Sequence, residues 1–166
     1  MNRFSGMGVI LVLALAGCAQ SGGPVMNNAN PPIATLQSLD QCGGLNYPAV
    51  RWIADPGEWR TVYAQIQNQW MTPPPPPAVD FPREGVLLVA MGQRPSAGYV
   101  LTLIDEVATV RDGLLTVRVN WREPAPGRRR AQVITNPCLL ATVPDAGFTR
   151  IQIVDQQGQQ RLEGKR

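Results

Sequence analysis

The sequence predicts an α+β fold: a mainly antiparallel β-sheet or sandwich carrying one amphipathic helix near its N-terminal side. Three observations predict it. A single stretch, "DPGEWRTVYAQIQNQW", repeats apolar residues at helical spacing and carries start signals. From residue 85 onward, short apolar or alternating runs follow one another, separated by Gly, Pro and Asp-Gly signals. Those separations are too short for helical crossovers, so neighbouring strands should run antiparallel.

In chain order, "AVRWIA" (49–54) reads as a first short strand. The helix follows over about 56–70. Asp55 suits the N-cap, Pro56 the first helical position, and Glu58 stands three residues after the cap. Trp59, Val62, Tyr63, Ile66 and Trp70 share one face, the face expected to pack on a sheet. "TPPPPP" ends the helix and reads as a stiff spacer. "GVLLVAM" (85–91) is apolar throughout, as in a strand covered on both faces. The seven residues Gly-Gln-Arg-Pro-Ser-Ala-Gly read as a turn to a neighbouring strand, "GYVLTLIDEV" (98–107). Asp112-Gly113 marks a hairpin, after which Leu115, Val117, Val119 and Trp121 alternate with Thr116, Arg118 and Asn120. "REPAPGRRR" is a loop. "AQVITNPCLLATV" (131–143) reads as a strand broken or bulged at Asn136-Pro137, and "FTRIQIVDQ" (148–156) as the last strand. The polar tail 159–166 is expected to fray.

The N-terminal residues belong to another category. Arg3, the apolar run of residues 7–16 and a small-residue site have the layout of a secretory signal. The run is too short to span a bilayer. Leu15-Ala16-Gly17-Cys18 resembles the lipobox of bacterial lipoproteins. That resemblance implies cleavage after Gly17, acylation of Cys18, and, with Ala19 next, an outer-membrane destination with the domain facing the periplasm. Residues 18–35, small and rich in Pro and Gly, then read as a flexible tether, and 36–158 as a single globular domain. Export to an oxidising compartment leaves Cys42 and Cys138 as an even pair, for which a disulfide is the favoured arrangement and two buried thiols the other.

Several chemistries lack their residues. The chain has no histidine, which removes Ser-His-Asp and Cys-His nucleophilic sites. Lys165 is the sole lysine and lies in the tail, which disfavours a Ser-Lys hydrolase. Asp105 and Glu106 are adjacent and, in a strand, would point to opposite faces, so they make no acid/base pair. No phosphate-binding glycine loop occurs, and two cysteines without histidine make a poor metal site. A net charge of +3 does not argue for nucleic acid. No cofactor, metal or small-molecule substrate is expected, and no catalytic residue.

Two resemblances bear on function. "GVLLVAMGQRPSAGYVLTL", "LLTVRVNWREPAPG" and "VITNPCLLATVP" together resemble the C-terminal domain of the PrcB-type protease-complex lipoproteins, over about 85–145. Gly92, Pro95, Gly98, Tyr99, Glu123, Thr135 and Pro137 carry the pattern in order. The resemblance implies a lipid-anchored subunit that stabilises or accompanies an envelope protease, with a PrcB-like β region over about 81–156. Arg94-Pro95-Ser96-Ala97-Gly98-Tyr99 also resembles the Asn-Pro-Thr-Thr-Gly-Tyr loop of chagasin-type cysteine-protease inhibitors, departing at the first, third and fourth positions. That family's Arg-Pro-Trp loop has no counterpart here.

The functional expectation is therefore a non-catalytic, lipid-anchored envelope protein, an accessory subunit of a protease or similar assembly. A chagasin-like inhibitor and a structural envelope lipoprotein are the alternatives. Arg94, Pro95, Ser96, Gly98 and Tyr99 form the candidate contact turn, since Arg and Tyr carry binding energy at interfaces and a proline-stiffened turn loses little entropy on docking. The bland reading gives Pro95 and Gly98 to the turn itself and Tyr99 to the edge of the core. Arg128–Arg130 read as a solvated loop.

Overall fold

The computed structural model describes residues 28–127 and 129–166. The expected signal, the lipobox with Cys18, and Arg128 lie outside the described residues. The elements are β1 (Ala34–Leu39), β2 (Ala49–Ile53), α1 (Pro56–Ile66), β3 (Glu84–Ala90), β4 (Val100–Leu103), β5 (Thr109–Arg111), β6 (Leu114–Arg122), β7 (Cys138–Pro144), β8 (Arg150–Val154) and β9 (Gln160–Lys165).

They build two sheets, one with the order β1-β7-β3-β2 and one with the order β4-β6-β8-β9, in which β5 also pairs with β6. Strand β3 shows why the layers stack as they do. Its alternate residues face opposite ways, and both sets are apolar. Leu87, Val89 and Met91 join a core with Leu115, Val117, Val119, Leu139, Ala141, Phe148, Ile151 and Ile153, between the two sheets. Val86, Leu88 and Ala90 join a second core with Trp59, Val62, Tyr63, Ile66 and Leu140, under α1. The molecule is thus three layers deep, helix on sheet on sheet, as a doubly apolar strand demands.

The helix begins as its residues dictate. Asp55 accepts a hydrogen bond from the Glu58 amide at 2.8 Å, and Pro56 takes the first turn. Each buried side chain of its stripe is worth roughly 1.5–3 kcal/mol. The helix stops at Ile66, not near 70: Gln67 closes it as a buried cap, and Asn68, Gln69 and Trp70 are exposed. Gln67 N–H bonds to Tyr63 O as the cap, and Trp70 swings out to 59 % exposure. The prolines then run back along the helix, and the Trp59 indole donates to Pro77 O at 3.1 Å.

Other expectations are corrected. Residues 28–35 are not a tether. Ala29 and Val110 exchange backbone hydrogen bonds at 3.1 and 2.7 Å, Ile33 is buried, and β1 begins at Ala34. The tail 159–166 does not fray, because Gln160–Lys165 pair with β8 as β9, turning Leu162 inward and Arg161, Glu163 and Lys165 outward. Gly164 is required there, since a Cβ would stand 2.7 Å from Val50 Cγ1 of the other sheet. Strands β6 and β8 run parallel, so the second sheet is mixed. The run 98–107 forms a strand only over Val100–Leu103, leaving Asp105 and Glu106 beyond its end, and β7 starts at Cys138, after the Asn-Pro break. The Asp112-Gly113 hairpin forms as read, with φ of 50° and 74°.

Candidate contact surface at the loop end

The two apolar runs flanking the Gly-Gln-Arg-Pro-Ser-Ala-Gly stretch are not neighbouring strands. β3 lies in the first sheet and β4 in the second. Residues 91–99 therefore cross the end of the sandwich rather than close a hairpin. At this same end the chain also turns through 40–48, between β1 and β2, and through 123–137, between β6 and β7. The three segments are tied to one another.

Gly92 makes the first tie. Its φ is +77°, and a Cβ there would lie 2.7 Å from both Tyr47 C and Pro48 N. Gln93 N–H bonds to Asn46 O at 3.0 Å, and Met91 N–H to Pro137 O at 2.9 Å. Arg94 and Thr135 exchange backbone bonds at 2.7 and 3.0 Å, and the Thr135 hydroxyl donates to Ser96 O at 3.1 Å. Ala97 N–H reaches Ala131 O at 3.2 Å. Asn136 fastens the remaining segment: its side-chain amide donates to Leu45 O and Asn46 Oδ1, while Cys42 N–H bonds to Asn136 O. Next to it the Cys42–Cys138 disulfide, its Cα atoms 6.0 Å apart, joins β7 to the segment after β1 beneath the helix. The expected pairing of these two cysteines is present. The Thr-Asn-Pro break that ends the strand reading at 136 thus gives the side chains that bind three loops together.

The five expected turn residues lie together but present themselves unequally. Pro95 and Gly98 are exposed, whereas Ser96 is buried, and Arg94 and Tyr99 are half-buried. Arg94 Nη2 donates to Met91 O at 2.8 Å, and the guanidinium lies over the Tyr99 ring, 5.4 Å from its centroid. Tyr99 packs against the inter-sheet core, as the bland reading has it. The apolar surface on offer is different: Tyr47 is 82 % exposed, Ile134 57 % and Val133 46 %. Trp70 and Met71 add exposed apolar surface at the C-terminal end of α1, where Gly43 N–H bonds to Ile66 O. Sequence reasoning missed these residues by spending them elsewhere, Val133 and Ile134 on a strand and Trp70 on the helix stripe. A usable signal was there: Val133-Ile134 directly precede a Thr-Asn-Pro that forbids the ladder from continuing.

The carboxylates whose pKa values are displaced lie away from this surface. In the β8–β9 turn, burial of Asp155 disfavours its charge, but hydrogen bonds from the Gln159 and Gln157 amides and from Arg161 outweigh it and hold its pKa below the ordinary value. Asp145, at the opposite end from the loops, is lowered first by its side-chain hydrogen bonds from Arg166, then by the Gly147 amide. Both are structural. Among the described residues no group of three Cys, Asp or Glu side chains comes close enough to hold a metal ion.

The fold is a helix-backed β-sandwich whose three end loops are cross-tied and carry exposed apolar side chains. Residues 86–144, from β3 through β7, match the model of the family described as PrcB C-terminal, over a little more than a third of the chain. That part of the molecule is similar to the PrcB C-terminal domain, and the loop residues named above, Gly92, Pro95, Gly98, Tyr99, Glu123, Thr135 and Pro137, all fall within the matched stretch. No curated protein and no solved structure matches the chain.

Proposed function

We propose that the protein is a non-catalytic, lipid-anchored subunit of the bacterial envelope that docks on an envelope protease through the loop end. The observation carrying this reading is the cross-tied surface of 40–48, 91–99 and 130–137, on which Tyr47, Val133 and Ile134 stay exposed although a large core was available to them. The family match supports association with a protease complex. The lipobox supports the anchor, through acylated Cys18, and an outer-membrane location with the domain in the periplasm. Ala29, near the first described residue, pairs with Val110 of β5, and the loops lie at the other end of the sheets, with the nine residues of β6, about 30 Å of strand, running between.

The test is a detergent-solubilised pull-down of the full chain beside a Tyr47→Ser, Ile134→Ser variant, with thermal melts of both. Capture of an envelope protease by the wild type, lost in a variant that melts normally, is the expected result. Identical capture by both would remove the loop end from the reading, and a captured protease that had lost its activity would mark an inhibitor instead. Metabolic labelling with a fatty acid, absent from Cys18→Ser, tests the anchor separately.

A further inference from the structure

At the end of the second sheet opposite the loops, the strand register lines up four residues in one row. Arg111 of β5 faces Leu114 of β6, Leu114 faces Arg150 of β8, and Arg150 faces Lys165 of β9. Their neighbours Val110, Leu115 and Ile151 are buried between the sheets, so alternation turns the row to the outer face of this sheet. The helix packs on the other sheet and leaves that face open. Arg111, Arg150 and Lys165 are all exposed. At about 4.8 Å per strand, the three cations fall within about 15 Å of one another.

Nothing in the protein balances them. Arg150 and Lys165 are like charges placed directly opposite each other, an arrangement that costs stability unless an anion lies over it. Among the described residues no ion pair reaches any of the three, whereas the exposed Arg51, Arg83 and Arg118 each hold a carboxylate. Asp112, beside Arg111, and Glu163, two residues before Lys165, are the acidic side chains closest to the row in the chain, and neither is ion-paired to it. Asp145, five residues before Arg150, is taken by Arg166. Arg111 Nη1 donates to the carbonyls of Val110 at 2.9 Å and Ala29 at 3.5 Å, which fixes the side chain and leaves its charge uncompensated.

The contact with Ala29 also relates the row to Cys18, eleven residues earlier. Eleven residues reach at most about 40 Å. An acyl anchor on Cys18 therefore tethers the domain by the end that carries the row. Resting on the lipid-anchor reading above, we infer that Arg111, Arg150 and Lys165 lie against anionic phospholipid headgroups of the membrane that holds the anchor. A headgroup phosphate neutralises the opposed Arg150 and Lys165, and the contact turns the loop end away from the bilayer.

The experiment measures partitioning of the full chain, carrying Cys18→Ser so that no acyl chain contributes, into vesicles of phosphatidylcholine alone or mixed with phosphatidylglycerol. Tighter binding to the anionic vesicles is expected. Arg150→Gln, Lys165→Gln should lose about tenfold or more of that preference, since each cation near an anionic surface is worth roughly a factor of five. Arg122→Gln, Arg129→Gln removes the same charge from exposed positions at the loop end and should keep the preference. The N-terminal residues are common to every variant, so the differences read the row alone. Arg150→Gln, Lys165→Gln should melt no lower than wild type, because it removes a repulsion. Equal partitioning into both kinds of vesicle, equal losses in the two double variants, or a marked fall in the melting temperature of Arg150→Gln, Lys165→Gln would overturn the inference. With no acyl chain present, its failure is distinct from a failure of fatty-acid labelling at Cys18.

Discussion

The guanidinium of Arg94 lies over the ring of Tyr99, 5.4 Å from its centroid, and at the same time donates to the carbonyl of Met91 at 2.8 Å. Both residues sit in the segment that crosses from one sheet to the other, so this pair braces the crossing. Arg94→Ala should therefore lower stability by about 1–2 kcal/mol, through the lost cation–π contact and hydrogen bond, as read by urea unfolding. A variant that unfolds like the wild type yet loses its partner would move Arg94 from brace to contact.

Gly92 is tested on its own terms. Its φ of +77° and the 2.7 Å approach of Tyr47 C and Pro48 N leave no room for a side chain. Gly92→Ala should cost about 2 kcal/mol or more, since left-handed backbone and an overpacked contact act together. A melt within a degree of wild type would show that the 47–48 segment moves away freely.

The disulfide closes a separation of 96 residues, and the chain-entropy model assigns such a closure about 4–5 kcal/mol. Replacing Cys42 and Cys138 together by Ala should lower the unfolding free energy by an amount of that order, and unfolded wild-type protein should show neither thiol to a thiol reagent. Titration of two thiols there would contradict the bond.

Asp155 sets a pH dependence. Its folded pKa is depressed, so the stabilisation it provides is complete above the unfolded carboxylate range, near pH 4, and is lost as pH falls from there through the folded pKa. Urea midpoints should drop across that acid window in the wild type and drop less steeply in Asp155→Asn, which is already weaker at neutral pH. Asp145 contributes in the same direction through Arg166. Parallel pH curves for wild type and variant would assign the acid sensitivity elsewhere.

Deleting residues 159–166 should destabilise the domain rather than trim it. The deletion uncovers Ile153, removes Leu162 from the inter-sheet core and breaks the Arg166–Asp145 pair at 2.6–2.7 Å. An unchanged melting temperature would return these residues to the status of a tail.

Local chemistry made much of this legible. The N-cap at Asp55 and the Asp-Gly hairpin at 112–113 each depend on neighbours within four residues. So does the alternation of Leu115, Val117, Val119 and Trp121. The doubly apolar "GVLLVAM" likewise demanded cover on both faces. Those features appear in the structure where the residues put them.

Other features turn on partners distant in the chain. Asn28–Ile33 look like linker because their ordering comes from backbone bonds to residues 106–110, which any composition can make. The tail became β9 because β8 offered an edge and Val50 left space only for a glycine. The Arg-Pro-Ser-Ala-Gly turn looked like a hairpin because a turn's own residues do not say which sheet its flanking strands will join. Which apolar residues stay outside, Tyr47, Val133 and Ile134, was likewise decided by tertiary structure. Sequence alone determined the helix, the doubly covered strand and the hairpin, since all of these follow from local geometry and composition. Only the folded molecule decided how the strands divide between two sheets, and hence which loops meet, because that depends on long-range pairing between segments whose local preferences permit several partners.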